Sequence, residues 1–358
     1  MSVNQWEPAK RGRRPAVLGE PVVDPAAWRP GDFADRETFA YRLSDSEIAE
    51  IFDAVARVER SGVALKDVGC DEFPLPRFGK TLAAFDDELY EGRGFVFVRG
   101  LPVEGRTMAQ NAIAFWGLGN HMGVPVPQNA KGHLLEHVKN AGGDINAPTG
   151  RGYNSPNALG FHTDTCELFS LMCLRTSKSG GEHRLCSSVT VYNEMLERRP
   201  DLAHELTFRF YRTRRGEVAP GEDPWMRQPV FSVQDGYFSA RGASSTIARA
   251  QKLPGVPKLT EAQVEAIAMY QALCGELAMA VDFEPGDITY VLNHVALHAR
   301  SAYEDWPEPE RRRHLMRLWL NSASPKRPLH PDIAREMKGI HVTDGVLKTP
   351  LDATPVTA

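Results

Sequence analysis

His162-Thr-Asp164 puts an imidazole and a carboxylate on the same face of an extended segment, because residues i and i+2 of a strand point the same way. Such a pair can fill two positions around a transition-metal ion, and a facial triad needs one more ligand, a His brought in from a distant strand. His298 qualifies: 135 residues separate it from His162, and it follows the extended run Ile288-Thr-Tyr-Val-Leu292. If both imidazoles meet at one metal, the chain between them must be strands and loops of one barrel, not a domain boundary.

The pair alone is weakly specific. With 11 His and 46 acidic residues in 358, chance gives about 1.4 H-x-[DE] triplets, and the chain has two, so context must choose between them. After His330-Pro-Asp332 only His341 remains, too near in sequence to cross a barrel, so that triplet reads as a surface turn. His294 and His298 stand four apart, as zinc ligands on a helix do, but the β-branched residues before them favour a strand and no Glu adjoins His294. Gly79-Lys80-Thr81 resembles the end of a phosphate loop, yet Pro74 stands where that motif needs Gly. No G-x-G-x-x-G follows the strand expected at 95–98.

Periodicity places the elements around these residues. Ser44-Asp-Ser-Glu47 opens a capped amphipathic helix to Arg60, and Thr107 to Leu118 reads as a helix. Gly92 to Gly100 is a glycine-bounded buried strand. Residues 123–159 read as a long loop, Ser170–Leu174 as a strand, and Ser179–His183 as a turn. Thr190–Leu206 is a helix interrupted near Pro200, 207–245 a set of hairpins, and Leu259–Ala280 a helix introduced by Thr260-Glu-Ala-Gln263. Strands are expected at 288–292 and 314–320. In the latter, alternation sends Arg313, Leu315, Arg317 and Trp319 to one face and His314, Met316, Leu318 and Leu320 to the other. Both faces are largely apolar, so the strand is buried and its guanidinium groups need an anion. Structural ion pairs with Glu308 or Glu310 are the alternative partners for Arg313. The pattern points to a mainly β, α+β architecture: a sandwich or barrel decorated with helices.

His162-x-Asp164, His298 and Arg313, in this order, resemble the taurine dioxygenase (TauD/TfdA-like) family of Fe(II)/2-oxoglutarate-dependent oxygenases. The likeness runs from about Gly92 to Leu320 and takes in Gly94-Phe-Val-Phe-Val-Arg-Gly-Leu-Pro102, Phe161-His-Thr-Asp164, Gly180-Gly-Glu182, Asn293 ahead of His298, and the Arg313/Arg317 pair. The resemblance implies a double-stranded β-helix (jelly-roll, cupin-like) core with flanking helices and an inserted lid region. It implies His162, Asp164 and His298 as iron ligands, Arg313 on the distal carboxylate of 2-oxoglutarate, and Arg317 as a second anion contact. A threonine often follows Gly-Gly-acidic in the family and helps hold 2-oxoglutarate; here that position is His183, and His183, Ser187 or Ser188 are the substitutes. Three protein ligands leave three iron positions, two for 2-oxoglutarate and one for O2. The reaction implied is oxidation of a substrate C–H bond with release of succinate and CO2. Retention of Asp164 favours oxygenation over halogenation; desaturation, epoxidation and ring closure use the same ligands. A zinc hydrolase built on the same triad would leave Arg313 without its carboxylate, and a metal-binding sensor would need no turnover.

The family's substrate-lining segments correspond to Gly123–Phe161 and Phe208–Ser245. They offer Gln128, Asn129, Tyr153, Asn154, Phe161 and Arg241 as contacts, with Arg212 as a further anion contact, a mixture that suits a small polar or amino-acid-like metabolite. Cys166, two beyond Asp164, reads as packed. The chain then divides into an N-terminal extension (1–40), one catalytic domain (41–325) and a C-terminal tail (326–358). A net charge of −4 gives no basic footprint for nucleic acid or an anionic membrane. Five cysteines without a C-x-x-C pair, a polar N-terminus and no long apolar run point to a reduced cytoplasmic setting. Self-association is compatible with the sequence but not specified by it.

Overall fold

The computed structural model describes residues 6–9, 12–33, 38–143, 152–324 and 326–352. The front of the chain supplies β1 (Ala40–Arg42), α1 (Asp45–Ser61), α2 (Phe78–Glu91), β2 (Phe95–Arg99), α3 (Met108–Met122), β3 (Val124–Pro125) and β4 (Leu135–Val138). Capping boxes at Ser44 and Thr107 start α1 and α3, the first as its sequence signature requires. Helix α2, with Gly79, Lys80 and Thr81 in its first turn, was not expected from the sequence; it buries Phe78, Leu82, Phe85 and Leu89 along one face. The expected loop at 123–159 holds β3, β4 and the first residue of β5 (Leu159–His162), because these short strands add to existing sheet edges and carry little periodicity of their own. Residues 144–151 of that segment lie outside the described residues.

Next come β6 (Leu168–Arg175), β7 (Ser179–Gly180), β8 (His183–Ser187), α4 (Ser188–Arg198) and α5 (Pro200–Glu205), the break falling at Pro200. Two hairpins follow: β9 (Arg209–Thr213) with β10 (Trp225–Pro229), and β11 (Phe231–Gln234) with β12 (Tyr237–Ala240). They lead to α6 (Ser245–Ala250) and α7 (Glu261–Glu276). The chain returns through β13 (Met279–Val281), β14 (Ile288–Leu292), β15 (Ala296–Arg300), β16 (Tyr303–Glu304) and β17 (His314–Asn321), and ends with α8 (Pro331–Ala334).

Two sheets face each other. The larger runs β1-β2-β14-β6-β17-β3 with β4 also on β17; the smaller runs β13-β8-β15-β5. Strand alternation sorts the side chains into layers. On β17, Leu315 and Trp319 enter a core shared with Phe169, Leu171, Val291 and Leu185, between the sheets. Met316, Leu318 and Leu320 pack on the other side with α2 and α3 residues such as Phe85 and Phe115. Beyond the smaller sheet, Cys186 and Leu297 meet Tyr270 and Leu273 of α7. This is the jelly-roll core with helical covers.

Described segments on either side of the core sequence pack onto it. Asp24 and Arg327 are ion-paired at 3.0 Å with both side chains about 1% exposed, joining the N-terminal extension to the segment past Pro325. That last segment donates Ile340 N–H to Pro127 O and Lys348 N–H to Gly132 O, so it lies along the mouth of the barrel.

Candidate metal centre and its cavity

His162 and His298 are direct cross-strand partners on antiparallel β5 and β15. Alternation explains His298's direction: Leu297 goes to the helices, so His298 points between the sheets. The 135 residues separating the two imidazoles thus close on themselves, and their rings lie 4.2 Å apart. Asp164 follows two residues past the end of β5. Its Oδ1 is 4.0 Å from His162 Nε2 and its Oδ2 is 3.9 Å from His298 Nε2. One ligand atom from each of the three lies within 4.8 Å of the others.

The surroundings prepare these atoms for a metal. His162 Nδ1 donates to Gly160 O at 2.8 Å, which leaves the Nε2 lone pair facing Asp164. Burial pushes both imidazoles below the ordinary histidine range, most strongly for His298, whose neighbours His162 and His183 add to the effect. Neutral imidazoles are the form a metal takes. Asn293 Oδ1 accepts from Asp164 N–H at 3.0 Å while its Nδ2 donates to Cys166 O at 3.0 Å. Trp319 Nε1 donates to Asp164 Oδ2 at 2.8 Å. Together they fix the carboxylate.

On the barrel side of the triad are Arg313 and His183. Arg313 is buried, stacks its guanidinium over Tyr303 with 5.1 Å to the ring centroid, and receives Asp305 Oδ1 only at its backbone N–H. Its Nη1, the Tyr303 hydroxyl and His183 Nε2 are buried without a hydrogen-bond partner among the described residues. Buried polar groups in that condition call for a partner, whether a water, an ion or a ligand. Burial, reinforced by the Arg313 charge, pushes the His183 imidazole down to about 3. Neither Glu308 nor Glu310 pairs with Arg313; Glu308 contacts Arg311.

On the opposite side a cavity of about 740 Å³ opens, lined by Tyr153, Phe161, His162, Asp164, Arg241, Arg317 and Trp319 among others. Of the sequence candidates, Tyr153, Phe161 and Arg241 face it, as does Arg212. Four others have different positions. Gln128 accepts from Arg317 Nε at 2.7 Å and donates to Arg317 O and Leu134 O, so it orients Arg317 from behind. Asn129 holds the 129–133 turn and Glu136. Asn154 takes Ala141 N–H and Gly143 N–H on its carbonyl and is not among the cavity residues. Ser187 is the N-cap of α4, accepting Thr190 N–H and donating to Ala26 O, so its hydroxyl is already engaged. Cys166 is fully buried.

Sequence reasoning missed the cavity's outer wall. Glu336, Lys338, Gly339, Ile340 and His341 line it, held by a two-toothed pair between Arg214 and Glu336 at 2.6 and 2.9 Å. No periodicity marks these residues; only the tertiary path of the C-terminal segment brings them to the site.

The family "Taurine catabolism dioxygenase TauD, TfdA family" matches residues 61–319. The chain is 32% identical over 314 residues to FR-33289 synthase of Streptomyces rubellomurinus, covering 85% of this chain and 91% of that one. Among solved structures, asparagine oxygenase with Fe(II), 2S,3S-3-hydroxyasparagine and succinate superposes at TM-score 0.61 with 18% identity, covering 79% of this chain and 93% of that one. The non-heme iron oxygenase OrfP with Fe and alpha-ketoglutaric acid superposes at 0.58 with 16% identity, covering 79% and 94%. These two likenesses concern the fold; the family match and the 32% relative concern descent, and on them the chain belongs to the TauD, TfdA dioxygenase family.

Proposed function

We propose that this protein is an Fe(II)- and 2-oxoglutarate-dependent dioxygenase that hydroxylates a C–H bond of a small polar, amino-acid-like metabolite. The observation carrying this reading is a cluster of two neutral imidazoles and a carboxylate, with a buried guanidinium on one side whose Nη1 has no hydrogen-bond partner among the described residues, and a cavity on the other. His162 and His298 offer nitrogen donors and Asp164 an oxygen, a set that suits iron with open positions. Arg313 then receives the distal carboxylate of 2-oxoglutarate, with the Tyr303 hydroxyl and His183 Nε2 at hand as further donors. When bound, iron with 2-oxoglutarate and O2 supplies the oxidising power, and the cosubstrate leaves as succinate and CO2.

The residues of the chain provide orientation. Gly160 O and Asn293 hold His162 and Asp164 in place; Trp319 restrains one carboxylate oxygen; Gln128 aims Arg317 at the cavity. Phe169, with its ring 3.9 Å from that of His298, shields the barrel face of the site. The asparagine oxygenase that holds hydroxyasparagine supports an amino-acid-like substrate. The catalytic unit we assign to residues 41–325, with the described parts of the flanking segments, 12–33 and 326–352, packed on it. No helix among the described residues is long and apolar enough to cross a membrane, and a cytoplasmic setting is part of the proposal.

Anaerobic addition of Fe(II) and 2-oxoglutarate should produce a weak visible charge-transfer band; folded protein without such a band would argue against the assignment. Arg313→Ala should raise the 2-oxoglutarate concentration for half-formation of the band by about 10–100-fold, the effect of losing a charge-assisted pair of roughly 1.5–3 kcal/mol. Unchanged half-saturation would instead make Arg317 the anchor.

A further inference from the structure

Beside the triad, on the inserted hairpins, two arginines are buried with no carboxylate of the described residues bonded to either. Arg212, on β9, is 3% exposed; its Nη1 donates to Gly242 O at 2.7 Å and its Nη2 to Arg241 O at 3.2 Å. Arg241, just past β12, is 4% exposed and donates from Nη1 to Asp164 O at 2.5 Å. Every one of these acceptors is a backbone carbonyl. The Nε of each arginine has no partner among the described residues, and no ion pair forms at either. Both line the cavity.

The two charges also oppose each other. Burial, and then the neighbouring Arg241, pull the Arg212 guanidinium down to about 9, and burial likewise lowers Arg241. Arg212 has no carboxylate counteracting this; Asp164 and Glu336 act on Arg241 from a distance. Buried charges are ordinarily paired, because the loss of hydration is offset only by a counter-charge. The cavity as a whole is lined by seven Arg or Lys side chains against four Asp or Glu, and of these Arg214 is already matched by Glu336 and Glu222. Arg317, on the same inner wall, lies 3.6 Å from Asp164 Oδ2, whereas Arg212 and Arg241 have no ion pair among the described residues.

The position is set by close packing. A Cβ on Gly242 would lie 3.0 Å from His162 Cα, and Gly242 N–H donates to Thr163 Oγ1 at 3.3 Å. The Arg241-Gly242 backbone thus rides directly on the segment carrying His162 and Asp164, and a group held there sits against the metal position.

We propose that Arg212 and Arg241 form an anion subsite for the substrate, so that the molecule oxidised bears an oxyanion group held on the inserted-hairpin wall. This subsite is separate from the cosubstrate position at Arg313, and the inference rests on the cavity being the substrate site of the dioxygenase. The shared chemistry is a carboxylate or a tetrahedral oxyanion, either of which accepts several guanidinium N–H groups.

Metal-free protein, without 2-oxoglutarate, provides the test. Inorganic phosphate, sulfate and acetate are compared with chloride at matched ionic strength by thermal melting. At least one of the three should raise the melting temperature beyond chloride: phosphate or sulfate identifies a tetrahedral group, acetate a carboxylate, and either supports the subsite. Arg212→Gln and Arg241→Gln should each raise the anion concentration giving half the shift by about tenfold or more, whereas Arg313→Ala should keep the shift. Arg212→Lys, which retains the charge, should restore part of it and covers the case in which the Gln variant does not fold. No anion-specific shift, or a shift that survives both Gln substitutions, overturns the proposal. The anaerobic Fe(II)/2-oxoglutarate band separates the two readings. A band without an anion shift removes only the subsite, and a shift without a band removes only the dioxygenase assignment.

Discussion

His162→Ala should abolish both the Fe(II)/2-oxoglutarate band and substrate-dependent succinate formation while leaving the protein folded. His162 is partly exposed at the cavity and its backbone sits in the β5–β15 pairing, so truncation removes a donor without opening the core. Loss of an outer partner of a metal ligand typically weakens binding about 10–100-fold, and losing a ligand itself should exceed that. The measurement is iron affinity by equilibrium dialysis together with the band. Retention of tight iron binding and of the band in this variant would show that the metal is held elsewhere. Among the described residues the competing cluster is His137, His314 and Asp352. There, however, His137 Nε2 already faces Pro350 O at 2.9 Å and its Nδ1 faces His314 Nε2 at 2.7 Å. These contacts form a chain of neutral hydrogen bonds tying the C-terminal segment to β4 and β17, and burial holds both imidazoles low.

The largest stability effect is expected far from the iron, at Asp24. Its carboxylate accepts from Arg13 Nε at 2.8 Å, Arg327 Nη2 at 3.0 Å and Ala26 N–H at 2.9 Å. Asp24→Asn keeps the shape but leaves the Arg327 guanidinium buried without a counter-charge, which should cost about 3–5 kcal/mol in denaturant unfolding. The double variant Asp24→Asn/Arg327→Met should recover part of that loss, because the stranded charge is gone. A single-variant change within about 0.5 kcal/mol would show that the two chain ends do not dock as described. The pH dependence follows from the same contacts. Burial works to raise the Asp24 carboxyl, but Arg327, Ala26 N–H and Arg13 outweigh it and hold it below the usual aspartate range. The folded state therefore binds this proton less readily than the unfolded chain. Its stabilisation is complete above the unfolded value near pH 4 and is lost as pH falls through the lower folded value. Acid unfolding curves of the wild type and Asp24→Asn should converge there.

Much of the candidate metal site was legible in the residues because it depends on local periodicity. The two-residue repeat of a strand makes His162 and Asp164 neighbours on one side, and puts Arg313, Arg317 and Trp319 on the inner face of β17 with Leu315. Capping boxes announced α1 and α7, and Pro200 announced the break between α4 and α5; the box at Thr107 that starts α3 shows only in the structure. Where segments take their shape from a partner, the signal failed. β4 is a strand because β17 offers it an edge, and α2 is fixed by its burial against α3 and β2.

For the cavity the division is sharper. Residue spacing fixes the kinds of group present: imidazoles and a carboxylate two positions apart, a strand of buried arginines, amides and aromatics in the preceding segment. Packing between elements selects which of them meet. It turned Gln128 and Asn129 inward as supports, committed Ser187 to a helix cap, and left His183 Nε2 without a hydrogen-bond partner among the described residues, beside Arg313. It also carried residues 336–341, some 175 positions from the metal pair in sequence, across the mouth of the barrel. The reason is physical: a side chain's direction follows from backbone period within one element, whereas its partners across elements follow from packing and burial, which no local pattern encodes.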